Sequence, residues 1–372
     1  MLLNSQNLLH KNIRKGKITG MGTELRSALS HLMDHLKRVF WLLGIILTSC
    51  MDSKETKLQR FLLQSNDMVK KQNAGQAERF LLEAIKLDSC FADAWNNLGT
   101  LYFDQMKYEE ALEYYDKAVH CKPDFVDGYF NRANTAYELK EYYRALKDLE
   151  TVKKAKPDTS TVYFLQGLIY TRLRKFDDAA SSFKKAQTLT DNNAEILVNL
   201  GTLQYYKKQF DSARFYLQRS IEIDPAEANA FNALAMVEVE QKNYDKASEL
   251  LSKALSLQPN DPYYLNNRGY IFLLTNHPDK AKEDIDRSIG LDPYNGWAYR
   301  NKGVYYLMLE KYDDAIRLLK RAESNDPFIE KVYFYLGEVY FKLGEKSQAC
   351  AHYSKALERN EITDKEYGLK CD

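Results

Sequence analysis

Cysteines, scattered histidines (three of the six inside the repeats) and several paired carboxylates are the side chains of this chain from which chemistry would have to be built. Adjacent carboxylates such as Glu109-Glu110 and Asp177-Asp178 suit acid–base work only where burial splits their proton affinities. Here they fall where a helix is expected to begin, and negative charge there suits the helix dipole. His120, His277 and His352 lie far apart in sequence. There is no phosphate loop, no G-x-S-x-G and no H-E-x-x-H. Cys90, Cys121, Cys350 and Cys371 lack the C-x2-C spacing of a zinc site. They read as small apolar packing residues, and no disulfide is expected between Cys90 and Cys121. No catalytic residue, metal or cofactor is therefore expected.

Cys50 stands in another context. Lys37-Arg38 precedes the apolar run from Val39 to Leu47, and Leu47-Thr48-Ser49-Cys50 follows. A basic zone, an apolar run and small residues form a secretory signal. The run is too short to span a bilayer, which takes about 20 apolar residues. Leu47–Cys50 resembles a bacterial lipobox, in which cleavage precedes a cysteine that then carries lipid. On this reading residues 33–49 are the signal, with translation starting at Met33 or Met21. Residues 1–32 are then an upstream extension absent from the mature protein, and 50–57 hold the lipidated Cys50 and a tether. Met51–Lys57 reaches at most about 25 Å.

What must position any functional side chain is a repeat. Alanine returns every 34 residues, at 77, 111, 145, 179, 213, 247, 281, 315 and 349. Nine copies run from Leu58 to Thr363 without insertion, and a short tail, 364–372, follows. Position 8 of each copy is small (Ser65, Gly99, Ala133 and onward to Gly337), and so is position 27. Small residues let two helices cross closely. Position 17 is mostly aromatic, and position 32 is proline in six copies, which ends a helix. Copy 7 has Pro278 in place of the aromatic, where it suits the first turn of a helix. Copy 1 is atypical, as terminal copies often are.

Residues 92–125 read Trp95-x2-Leu98-Gly99-x2-Tyr102, Ala111-x3-Tyr115 and Pro123. Term by term this resembles the tetratricopeptide repeat family. The resemblance implies an all-α fold: a right-handed superhelical solenoid of about nine helix-turn-helix repeats, about eighteen helices, with first helices lining a concave groove. It further implies that positions 2, 5, 6, 9, 12 and 13 of the first helix face that groove. Carried onto this chain, these give Asn97, Asn131, Asn134, Tyr137, Phe164, Asn199, Tyr205, Asn232, Asn267, Tyr270, Arg300 and Asn301 as a peptide-binding surface. A side-chain amide both donates and accepts, so an asparagine row can pair with an extended backbone. The carboxylate clamp of co-chaperone arrays is incomplete here. Asn97, Asn131 and Asn134 are present, but Asn96 and Asp127 stand at two of its other positions.

Basic and acidic residues number 53 and 52, for a net charge of +1. That leaves no excess for a phosphate backbone, so nucleic acid is not an expected partner. The expected function is a non-catalytic interaction scaffold, lipid-anchored in a bacterial cell envelope on its periplasmic or surface face, that binds a protein or peptide in its groove during envelope assembly or secretion. A soluble cytoplasmic adaptor is the alternative. The short carboxyl end suggests self-association there. Lipid labelling and fractionation test the anchor: wild type is expected to be labelled and membrane-bound, and Cys50→Ala neither. A soluble, unlabelled wild type would refute it.

Overall fold

The computed structural model describes residues 53–371, so the extension, the signal and Cys50 lie outside the described residues. All regular structure among them is helical, nineteen helices in order. In copies 2 to 8 the first helix starts at position 1 and the second spans positions 17 to 30, as in Ala194–Tyr206 and Phe210–Ile223. Helix ends follow local chemistry. Asp261 accepts bonds from the N–H groups of Tyr263 and Tyr264 at 2.8 and 2.9 Å, which frees Pro262 to open the helix. Pro278 opens the second helix of copy 7, as the sequence predicted.

Between the two helices every copy makes one tight turn. Position 15 is left-handed in all nine: Gln72, Met106, Lys140, Arg174, Lys208, Lys242, Asn276, Glu310 and Gly344. The next N–H then returns to a carbonyl five residues back, as from Asn243 to Glu238 at 2.9 Å. Only copy 9 uses glycine there, so the other turns carry a conformational cost.

Close helix contact explains the invariant small residues. All nine position-20 alanines are fully buried. A Cβ added at Gly167 would lie 2.6 Å from the Phe183 ring, and at Gly337 2.5 Å from Tyr353. Position 8 is thus the floor on which the large side chain of position 24 rests. Copies 3 and 6 carry Ala133 and Ala235 at position 8, and there leucines (Leu149, Leu251) take the aromatic's place. Where position 27 is serine, its hydroxyl is spent: Ser220 donates to the Ala194 carbonyl at 2.9 Å.

Two compact units divide the chain, one ending at Asn131 and one beginning at Arg132. Within each, the helices of a copy pack as a pair and the second helix packs on the first helix of the next copy. In the second unit, successive first helices of copies 5 to 9 also touch, more closely than successive second helices do. The first helices are therefore on the inside of the curve.

The cysteine expectation is corrected. Cys90 and Cys121 form a disulfide with Cα atoms 5.1 Å apart, and Cys350 and Cys371 another at 5.6 Å. Cys90 is at position 33 of one copy and Cys121 at position 30 of the next. These positions differ along the repeat, yet stacking sets them side by side. The second bridge holds an added helix, Asp364–Cys371, where only a tail was expected. Tyr367 of that helix packs on the buried cluster of copy 9 around Tyr340 and Tyr353.

Two stability predictions follow from these contacts. Gly167→Ala, forced against Phe183, should lose about 1–3 kcal/mol by urea unfolding, and Gly201→Ala, opposite the more adaptable Leu217, less. Lys242→Gly should gain up to about 1 kcal/mol by relieving the left-handed turn.

Candidate functional site

The first helices of the inner face carry the asparagines, and the structure shows where their amides go. In the first unit Asn131 Nδ2 donates to Asn96 Oδ1 at 2.9 Å, and Asn96 Nδ2 to Asn97 Oδ1 at 3.4 Å. In the second unit a longer ladder crosses three copies. Asn267 donates to Asn232 at 2.8 Å, Asn266 to Asn267 at 3.4 Å, and Asn301 to Asn266 at 2.8 Å. Arg300 Nε closes it on Asn301 Oδ1 at 2.9 Å, and its Nη1 reaches the Glu330 carbonyl at 3.2 Å. Asn301 is fully buried and Arg300 nearly so. These two, expected on the binding surface, are struts between copies: Asn301 is held by Asn266 of the preceding copy and Arg300 by the Glu330 carbonyl of the following one. Phe164 likewise packs against Phe183 in the core of copy 4.

Other predicted residues remain accessible. Asn134 and Asn199 are half-buried, and Asn199 Nδ2 donates only to the Glu195 carbonyl of its own helix, at 2.9 Å. The Tyr137 hydroxyl accepts from Arg172 at 3.3 Å. Tyr205 and Tyr206 pack edge to face, 5.7 Å apart, and Tyr206 also stacks on Phe176. Burial pushes both hydroxyls above the usual phenol range, so they stay neutral. Arg300 lies over Tyr270 and Trp297 at 4.7 and 4.8 Å from the ring centroids. Arg300 and Tyr270 are buried, so the rings left for recognition of a peptide are the more open ones of Tyr137 and Tyr206.

At one edge of this face is a cavity of about 760 Å³. Its walls come from the turns after the first helices of copies 4 and 5 (Arg174, Lys208) and from the start and end of copy 9 (Lys331, Arg359). Copy 9 begins its first helix late, at Val332, with Lys331 left-handed at φ +64°. The contact is drawn together by Phe328, whose ring centroid lies 4.9 Å from the Arg174 guanidinium and 5.9 Å from that of Arg359, and by Lys208 Nζ, 3.4 Å from the Asn360 carbonyl. Burial raises the Glu361 carboxyl above its ordinary value, although N–H groups of Lys331 and Phe334 bond it. None of these cavity residues is among the groove residues named above from the sequence. A signal existed: position 15 is cationic in four consecutive copies, as Lys140, Arg174, Lys208 and Lys242.

Several titratable groups are engaged by their neighbours. Glu238 is fully buried; burial alone would raise its carboxyl, but bonds from Asn243, Lys246 and Arg214 outweigh this and hold it below the usual value. Asp177 pairs with Lys207 at 2.7 Å, and His352 stacks on Tyr340. Among the described residues no group of three or more His, Cys, Asp or Glu is placed to hold a metal. No described helix is long and apolar enough to cross a membrane.

Stacked helix pairs with an aromatic, amide-bearing inner face define a helical-repeat interaction scaffold. Tetratricopeptide repeat descriptions match residues 92–125, 130–194, 206–267, 262–295 and 330–361, together more than half of the chain. The chain belongs to the tetratricopeptide repeat family. Comparison with curated proteins gives no match. Among solved structures, the APC/C hetero-tetramer Cut9–Hcn1 is similar with a TM-score of 0.59 and 17% identity, over 86% of this chain. This chain spans 63% of that one's length. PilF of Pseudomonas aeruginosa is similar with a TM-score of 0.50 and 21% identity, over 57% of this chain and 97% of its own. Identities this low concern the fold.

The ladder is testable by stability. Asn301→Ala leaves the buried Asn266 and Arg300 short of partners and should lose about 1–3 kcal/mol in urea unfolding. Asn199→Ala should change stability by less than about 0.5 kcal/mol.

Proposed function

We propose that this protein captures an extended segment of a partner protein along the inner face of its second unit, while lipid on Cys50 holds it to a bacterial envelope membrane. One observation carries the binding reading. The first helices converge on the inner face, where Tyr137, Arg172, Tyr206 and the amides of Asn134 and Asn199 stand accessible while neighbouring asparagines are engaged between copies. An accessible amide can take both a peptide N–H and a carbonyl, and the aromatic rings supply sequence-tolerant area.

The two disulfides support an exported location. Such bonds persist in oxidising compartments and are rare in the cytosol of mesophiles. They weigh against the cytoplasmic adaptor and agree with a signal ending at Cys50. Within the second unit, Asn232 and Asn267, also named from the sequence, are joined to each other by an amide hydrogen bond between copies.

Asn134→Ala with Asn199→Ala, both free of the ladder, is the test. Crosslinking in intact cells should capture the partner with wild type and at least tenfold less with the double variant, at unchanged thermal midpoint. Equal capture by both proteins would move the site off the inner face.

A further inference from the structure

Resting on the peptide-binding reading, we infer that the cavity between copies 4–6 and copy 9 is a docking site for an acidic segment of the bound partner, with an aromatic or apolar residue among its carboxylates. The wall carries five cations, Arg174, Lys207, Lys208, Lys331 and Arg359, and three carboxylates, Glu240, Glu330 and Glu361. A chain of net charge +1 thus concentrates positive charge at one place.

How those charges are satisfied decides the sign of the ligand. Lys207 is neutralised by Asp177. The other four cations make no ion pair among the described residues. Arg174 and Arg359 lie over Phe328, and Lys208 reaches only a backbone carbonyl. Aromatic faces and carbonyls orient a cation without cancelling its charge. Of the carboxylates, Glu361 is half-buried, bonded by backbone N–H groups and shifted toward its neutral form. Even counting Glu240, Glu330 and Glu361 as charged, the four cations without an ion pair leave the wall net positive. Phe328 is 54% exposed and Tyr206 41%, which leaves apolar area beside the cations for a side chain of the ligand.

The site is also built. The asparagine ladder ends on Arg300, whose Nη1 holds the Glu330 carbonyl, and the next residue is the left-handed Lys331. Position 2 is the second residue of the first helix in copies 2 to 8, so this turn belongs to copy 9 and to the cavity. The chain's own first 52 residues do not suit the site, because they carry seven basic residues against three acidic ones.

The test uses the full chain and fluorescein-labelled peptides of three glutamates, one phenylalanine and three glutamates, with a glutamine version as control. By anisotropy the glutamate peptide should bind at least tenfold more tightly than the control and weaken as salt rises. Lys208→Glu with Lys331→Glu, both exposed or half-buried, should abolish that preference while circular dichroism and thermal midpoint hold. Arg174→Gln is a second variant, expected to weaken the glutamate peptide in the same direction. Equal binding of both peptides, unaltered by the variants, would overturn the acidic site and leave the groove reading standing. Displacement of the peptide by inorganic phosphate at equal concentration would overturn a peptide ligand in favour of a simple anion site. No binding of either peptide would overturn the acidic site as well, and the crosslinking test with Asn134 and Asn199 would then decide the groove reading separately.

Discussion

The distance between the two helices of a copy is the constraint on which everything else rests. It is set where position 8 lies under position 24, and where a fully buried alanine at position 20 lets the backbones meet. With no room for a Cβ at Gly99, Gly167 or Gly337 beneath an aromatic ring, the crossing is fixed. Because that contact repeats every 34 residues, each first helix returns to the same face. Sequence-distant side chains such as Asn232, Asn267 and Asn301 then fall into line. A continuous inner face is created without any residue that is special by itself.

The periodicity of one sequence was enough to place two helices in each copy, with Pro278 at the start of a second helix, because both hydrophobic spacing and turn chemistry recur at each copy. The inner face was legible only in outline. Position 6 was correctly placed on the first helix, but burial at that position varies from copy to copy: Asn199 meets solvent while Asn301 does not. That difference depends on which neighbour supplies an amide at position 5, a relation between adjacent copies that a position-by-position alignment does not display. The cysteines were misread for the same reason. Cys90 and Cys121 occupy different repeat positions and meet only because stacking offsets one copy against the next.

The cavity lies further beyond sequence reasoning. Lys208 and Asn360 are 152 residues apart and meet because the second unit curves until copy 9 approaches the turns of copies 4 and 5. No local pattern encodes that encounter. It is the accumulated result of small rotations between neighbours, each fixed by packing of the kind that places Phe183 on Gly167.

The disulfides bear on how long such a stack survives. A linear array opens from its termini, where a copy has one neighbour instead of two. Cys90–Cys121 ties the first copies together, and Cys350–Cys371 fastens the closing helix over the last. Both covalent links therefore guard against unzipping where it would start. A protease, which needs a loose strand of chain, would find neither end of the repeat array ready to thread into its active site.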